Sequence, residues 1–405
     1  MKIVLVSTFG GQGGAAIAMK RLGLALSKSG HEVNLLIGYP KTAEKAALYA
    51  SGSFINQVLF WLNFYAERLF IRFIVKEKKH LFKFSLSPFG LDITNHPLIR
   101  RADIVHLHWV NFGFLNLDGI RKLCQTKPVV WTLHDMWAFT GGCHYSLGCV
   151  QYEDSCHSCF YLRSAWSKVA QNALRHKERV YDQVPLHIIT CSAWLATCAR
   201  SSRALKNAAI SVIGNPIDVG VFKPMDRAAL RKNHQIGVDD FVILFGAMDA
   251  SDERKGAAHL DAALGLFKEA EPRAQTLALS MGKSTYAWTH GLPTQHLGPV
   301  NTEAKMADVY NLADVFVLPS QQDNLPNMVL EALACGVPVV CFDSGGVVDM
   351  VDHGSNGYIV SMRNPQEMAA GIRFFRDKQQ RALYGKNARL KIEQLFTNEV
   401  IAEHH

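Results

Sequence analysis

Pro319-Ser-Gln-Gln-Asp-Asn-Leu-Pro-Asn-Met-Val-Leu-Glu-Ala-Leu-Ala-Cys-Gly-Val-Pro338 is a strand-to-helix turn spelled out in residue types. The apolar run Asp314–Leu318 before it reads as a strand, and Val337–Phe342 after it as another. Pro326 suits the first turn of a helix, where its missing N–H is not needed. Gly336 suits the close of that helix, where a left-handed residue ends it. Strand, helix, strand in so short a span fits parallel strands covered by helices, as in a doubly wound α/β sheet. Ligands in such sheets sit outside the carboxyl ends of the strands. Asp323 lies in that turn and Glu331 about one turn into the helix, flanking a helix N-terminus able to hold a phosphate. A carboxylate can accept from both hydroxyls of a ribose or hexose. The plainer alternatives are a helix cap for Asp323 and a surface position for Glu331.

The same alternation extends in both directions. Lys2–Ser7, His31–Ile37, Asp103–Leu107, Val129–Leu133 and His187–Cys191 read as strands in the first half. Phe241–Phe245 and Gln275–Ser280 join Asp314–Leu318 and Val337–Phe342 in the second. Between the halves, Ile213-Gly-Asn-Pro-Ile-Asp-Val-Gly-Val-Phe-Lys-Pro224 carries two prolines and two glycines, as a linker does. The expected architecture is two doubly wound Rossmann-like domains facing a cleft. Residues 1–214 form the acceptor-side domain and 215–385 the nucleotide-sugar-binding domain. A C-terminal helical segment, 386–405, packs back toward the first.

The 405 residues are 48% hydrophobic and 19% charged, the balance of a soluble globular protein. Net charge +8 suits an anionic substrate, a membrane surface or nucleic acid, and selects none of them. Basic residues are spread along the chain with no legible nucleic-acid module, which disfavours that partner. The opening apolar run ends after Val6 in a glycine-rich stretch, so it reads as a first strand and not a signal peptide. The uncharged stretch Ala46–Ala66 contains too many polar residues for a membrane span. The expected compartment is the cytoplasm, with reduced cysteines. Residues 54–84 interleave aromatics with Arg68, Arg72, Lys76, Lys78 and Lys79. Two readings stand: a core helix with a solvated basic end, and a basic amphipathic helix lying on the inner membrane face.

Gly10-Gly11-Gln12-Gly13-Gly14 follows the first strand and opens a helix, letting backbone approach a phosphate at Gly13 and Gly14. No acidic residue ends the second strand, which disfavours NAD; a tight packing turn is the competing reading. A separate cluster reads Cys143-x5-Cys149-x6-Cys156-x2-Cys159. Four thiols at this density suit a structural zinc stapling a long loop, with two disulfides as the alternative in an oxidising compartment.

The stretch 319–338 resembles the second-domain signature of retaining glycosyltransferases of family 4, the group 1 enzymes of GT-B fold. Shared with it are two acidic residues separated by seven, then Ala, Gly and Pro. Gly30-His31-Glu32-Val33, Asn215-Pro216-Ile217-Asp218 with Phe222 and Pro224, Arg254-Lys255-Gly256, Gly345-Gly346 and Gly357 extend the resemblance over nearly the whole chain. It implies transfer of a hexose from a UDP- or GDP-sugar to a polysaccharide or lipid-linked acceptor, with no cofactor required. It also implies that Lys255 and Arg254 clasp the donor diphosphate, and that Glu331 holds the ribose hydroxyls. Asp323 would hold the transferred sugar, and the amides of Asn324 and Leu325 the sugar or phosphate. Gly13 and Gly14 would line the phosphate side, and His134 in Trp131-Thr-Leu-His-Asp135 would stand near the reacting sugar. Two departures stand out: Asp323 occupies a position usually held by Glu, and Ala247 follows Gly246 where Arg is frequent. A nucleotide-sugar epimerase on the same fold and a basic nucleic-acid binder are the competing functions.

Overall fold

The computed structural model describes residues 1–11, 13–39, 47–49 and 53–405. Residues of the glycine loop and of the 40–52 stretch that fall in the gaps, Gln12 among them, lie outside the described residues. Among the described residues, seven parallel strands make the first sheet: β1 (Lys2–Ser7), β2 (Glu32–Ile37), β3 (Ala47–Tyr49), β4 (Ile104–Leu107), β5 (Val129–Leu133), β6 (Leu186–Thr190) and β7 (Ala209–Val212). Their spatial order is β3-β2-β1-β4-β5-β6-β7. Six more make the second: β8 (Phe241–Gly246), β9 (Thr276–Met281), β10 (Thr294–His296), β11 (Val315–Leu318), β12 (Val339–Phe342) and β13 (Gly357–Val360). Their order is β10-β9-β8-β11-β12-β13.

The inner strands are near-continuous apolar runs because helices cover both faces of a parallel sheet. Burial does not alternate along them: β8, β11 and β12 are buried over their whole length. In each sheet the winding reverses once, between β1 and β4 and between β8 and β11. Adjacent crossovers leave those two strand pairs in opposite directions, opening a crevice at their carboxyl ends. The doubly wound α/β expectation holds for both halves.

The chain divides into two units, Met1–Gly214 with Ala402–His405, and Asn215–Ile401. The expected break at 385 falls inside the helix Lys378–Leu395, which runs through it without interruption. Only Ala402–His405 group with the first unit, so 386–405 is not a separate segment. The Pro- and Gly-rich stretch is clamped as well as irregular. Ile217 and Phe222 are fully buried, the Ile217 amide donates to Phe396 O (2.9 Å), and Arg389 donates to the carbonyls of Phe222 and Val219.

The helix Phe54–Ile74 departs from the usual burial pattern. Ser53 caps it by accepting from the Asn56 amide at 3.1 Å. Its inward stripe is Phe60, Glu67, Arg68, Ile71 and Ile74. Buried Glu67 accepts from Ser85 Oγ and from the amides of Leu86 and Ser87 at 2.7–2.8 Å. Arg68 donates to Phe84 O at 3.1 Å. Its outward face carries Phe54, Leu62 and Phe73 at 79, 59 and 60% exposure. Phe60, Ile71 and Ile74 join the core, as the core-helix reading expects. That reading falls short for the rest, since polar contacts anchor the helix and much of its apolar surface faces outward.

Candidate active site

The second sheet's crevice gathers three of the residues that the sequence singled out, Arg254, Lys255 and Asp323. After β8, Asp252 Oδ1 caps a short turn, Glu253–Lys255, by accepting from the Arg254 amide. Gly256 ends that turn at φ +73° and begins the helix Ala257–Ala270. A Cβ at Gly256 would stand 1.9 Å from the Pro319 carbonyl oxygen, so only glycine lets this turn lie against the loop after β11. The two segments are then bonded together: the Gln321 amide donates to Arg254 O (2.8 Å).

That contact delivers both cations to one carboxylate. Lys255 Nζ donates to Asp323 Oδ2 at 2.6 Å, and Arg254 Nη1 to Asp323 Oδ1 at 3.1 Å and to Gln322 O at 2.8 Å. Burial alone would raise the Asp323 carboxyl, but Lys255 and Arg254 outweigh it and hold it well below the usual carboxylate range. Burial lowers the Lys255 ammonium, a shift that Asp323 partly offsets. Behind Asp323, Gly346 N–H donates to its carbonyl (3.0 Å). Gly345, at φ +60°, sits where a Cβ would strike that same oxygen at 1.9 Å.

Glu331 lies in the helix Asn327–Ala334, buried, and accepts from the Tyr310 hydroxyl at 2.8 Å. It is therefore not a surface residue. Asp323 is not the helix cap, since Pro326 occupies that position. Asn324 and Leu325 are buried between the two carboxylates in the chain, and Asn215 Nδ2 donates to Leu325 O at 3.3 Å. The ion pairing of Asp323 and the hydroxyl on Glu331 were not legible in the sequence. Both depend on contacts between residues far apart in the chain.

In the first unit, Gly13 stands at φ +89° directly before the helix Gly14–Lys28, after the β1 end of that sheet's crevice. His134 follows β5. Its Nε2 lies 3.0 Å from His108 Nδ1, and its Nδ1 lies 3.7 Å from Cys191 Sγ. His108 stacks in turn on His106, with ring centroids 4.5 Å apart. Burial lowers the His134 imidazole to about 4 and pushes His106 and His108 well below the ordinary histidine value, so the string is neutral at pH 7. Sequence reasoning passed over His106 and His108. The only available signal was their i, i+2 spacing at a strand end, which puts both on one face. Asp135 follows His134 and accepts from Trp109 Nε1 (2.7 Å) and the Trp137 amide (2.9 Å), with His144 Nδ1 at 2.7 Å. Burial opposes its ionisation, but His144 and these donors leave its carboxyl below the usual value.

The four clustered cysteines come together. Cys143, Cys149, Cys156 and Cys159 line one cavity of about 20 Å³ with Phe84 and Phe160 among its walls. All four are free thiols. As the side chains stand, no group of three or more His, Cys, Asp or Glu among the described residues is placed to hold a metal ion.

Comparison with known proteins gives two family matches. The family described as Glycosyltransferase Family 4 matches residues 12–221, and that described as Glycosyl transferases group 1 matches residues 231–376. A D-inositol 3-phosphate glycosyltransferase of Segniliparus rotundus is 28% identical over 173 residues, 40% of this chain and 38% of that one. The chain thus matches less than half the length of that relative. Among solved structures, sucrose-phosphate synthase from Thermosynechococcus elongatus superposes with TM-score 0.67 at 20% identity, covering 99% of this chain and 96% of that one. Anabaena HepE in complex with UDP-glucose gives 0.63 at 17% identity, covering 100% and 98%. At these identities the likeness establishes a shared fold.

Proposed function

The chain belongs to glycosyltransferase family 4, and on that premise we propose that it moves a hexose from a UDP- or GDP-sugar to a polysaccharide or lipid-linked saccharide. In this reading the configuration is retained and no metal acts at the reaction centre. The observation that carries it is the convergence of Lys255 and Arg254 on buried Asp323 at the switch point of the second sheet.

As the glycosidic bond breaks, charge grows on the leaving diphosphate. Fixed cations in a partly desolvated crevice stabilise that charge without reorganising. Asp323 holds both cations in place before the donor arrives, so the site is built in advance of the chemistry. Glu331, oriented by Tyr310, is assigned to the ribose hydroxyls. The amides of Asn324 and Leu325 and the loop at Gly13 and Gly14 are assigned to phosphate or sugar oxygens. His134 keeps the role that the family resemblance implies, contact with a sugar hydroxyl; its neutral ring suits a hydrogen bond and not a charge. The UDP-glucose bound to HepE supports a nucleotide-sugar donor for this fold.

The helix Phe54–Ile74 supports a peripheral membrane contact at the cytoplasmic face. Its exposed apolar face lies next in sequence to Arg72, Lys76, Lys78 and Lys79, the pairing that binds an anionic bilayer. No helix among the described residues is long and apolar enough to cross a membrane.

The deciding experiment is a panel of UDP- and GDP-sugars assayed for thermal stabilisation and donor hydrolysis, on the wild type and on Lys255→Ala. One nucleotide series should stabilise the wild type and be hydrolysed slowly, with hydrolysis lost in the variant. Stabilisation by no sugar nucleotide, or equal hydrolysis by Lys255→Ala, would refute the donor site.

A further inference from the structure

Residues 135–166, all of them described, contain no strand and no helix longer than a single short turn: only Trp137–Phe139, Gln151–Glu153 and Ser164–Trp166 are regular. A stretch this long without secondary structure is uncommon inside a compact domain unless something pins it. Fourteen of its 32 residues are nevertheless buried, and it holds left-handed turns at exposed Leu147 (φ 49°) and buried Cys156 (φ 51°), where no glycine relieves the strain. Such conformations persist only where the surroundings over-determine them.

Three features of the cysteine cavity converge. The four cysteines surround a space of about 20 Å³, the scale of a single small occupant. Backbone amides are already directed at the sulfurs: those of Tyr161 and Leu162 donate to Cys159, and that of Gly141 to Cys156. Amide donors to sulfur are the outer contacts that orient thiolate ligands and stabilise their charge. A buried cation stands alongside, since Lys177, 1% exposed, donates to Trp137 O and to Thr140 O (2.9 Å). A free thiol needs neither the amides nor the cation.

We propose that Cys143, Cys149, Cys156 and Cys159 bind one structural Zn²⁺. Four thiols lose four protons to the solvent and one Zn²⁺ takes their place, leaving a tetrathiolate of net charge −2 that Lys177 and the amides offset. The four cysteines already line one cavity but do not yet form a metal-holding group, so binding would draw their sulfurs inward to the tetrahedral Zn–S distance of about 2.3 Å. Four sulfur ligands leave no position for a substrate, so the ion is structural. Its effect reaches the active site through the chain: His144, next to Cys143, bonds Asp135, which follows His134.

The test uses the full-length, untagged chain, purified reduced and without chelator. Elemental analysis should find close to one zinc per chain. Cys149→Ser and Cys159→Ser should each lose it and lower Tm, while Cys198→Ser, outside the cavity, keeps it. Should the first two variants fail to fold, the wild type alone decides: a thiol-specific mercurial should release zinc in step with modification of four thiols. Exchange with Co²⁺ should also give the visible absorption of a tetrahedral cobalt thiolate. Folded wild type without metal and with four reactive thiols would overturn the proposal. Disulfides among these cysteines in the mass spectrum would overturn it equally.

Discussion

Asp323 has two cations and no exposed face to spare, so its charge and theirs are set together. Removing Lys255 takes away one cation and leaves Arg254 to pair the carboxylate alone, which limits the structural damage. Lys255→Ala should therefore lower transfer about 10²- to 10³-fold, the usual cost of one transition-state charge contact, with a small change in Tm. Near-normal turnover would show that the diphosphate is held elsewhere. The pairing also fixes a pH dependence. The folded carboxyl is depressed below the unfolded value of about 3.9. Its contribution to stability is therefore present above that value and lost as pH falls through the folded one. The gap in Tm between wild type and Asp323→Asn should be widest near neutrality and shrink below about pH 4. A gap that stays constant from pH 7 to pH 3 would rule out the charged pair as its source. The sequence put Lys255, Arg254 and Asp323 in one site only through the family resemblance; the pairing of β8 with β11 that brings them together is a finding of the structure. The sequence did not reveal that the carboxylate faces the cations, and gave Asp323 only a sugar to hold. The His108–His134 contact was hidden for the same reason: nothing local in either segment encodes which side chains meet across β4 and β5.

The turn Glu253–Lys255 shows how an element is positioned by what it lacks. Gly256 tolerates φ +73° and leaves room for the Pro319 carbonyl. Alanine there meets both a left-handed backbone and an oxygen at 1.9 Å, so the turn must lift away from the loop that carries Asp323. Gly256→Ala should destabilise by about 1–3 kcal/mol and weaken donor binding and turnover together, as thermal unfolding and donor titration would show. Loss of stability with normal donor affinity would mean that the turn's seat on the loop does not matter. Strands were legible where burial on both faces forces an apolar run, as in Phe241–Gly246 and Val129–Leu133. They were missed where the run is short or polar. Thr294–His296 is a polar run of three residues at one sheet edge, and Gly357–Val360, at the opposite edge, opens on a glycine and is only partly buried. The helix Phe54–Ile74 was legible as a helix but not in its orientation. Glu67 and Arg68, which a sequence pattern puts outside, are the residues that bond the following segment. Leu62→Ser with Phe73→Ser should change stability by no more than about 0.5 kcal/mol, because both side chains are exposed. The pair should reduce co-sedimentation with anionic lipid vesicles, and undiminished sedimentation would remove this face from the membrane contact.

At the scale of the molecule, the two units each own a sheet, a core and a distinct kind of chemistry. The carboxylate and its cations belong to Asn215–Ile401, and the cysteine cavity and the histidine string belong to Met1–Gly214. Tandem α/β patterning and the Pro-rich junction at 213–224 made that division legible, since each half restarts the strand sequence. The end of the chain was not legible, because nothing in residues 378–395 marks where one domain's contacts stop. The separation gives metal withdrawal two distinguishable consequences. Charge on a departing diphosphate is assigned to Lys255 and Arg254, so a chelator should leave the initial rate of transfer unchanged. Zinc in the proposed cysteine site would lie among buried and half-buried side chains and should leave slowly, through opening of the loop at 135–166. Activity should then decay on the time scale of zinc release and in step with loss of ordered structure, followed by a zinc-sensitive dye and near-UV circular dichroism. Donor binding should outlast that decay in part, since Lys255, Arg254, Asp323 and Glu331 lie in the other unit and only the loop at Gly13 and Gly14 shares a unit with the cysteines. Immediate loss on chelation, restored at once by Mg²⁺, would instead put a metal in the transfer step and overturn the assignment of that charge to Lys255 and Arg254.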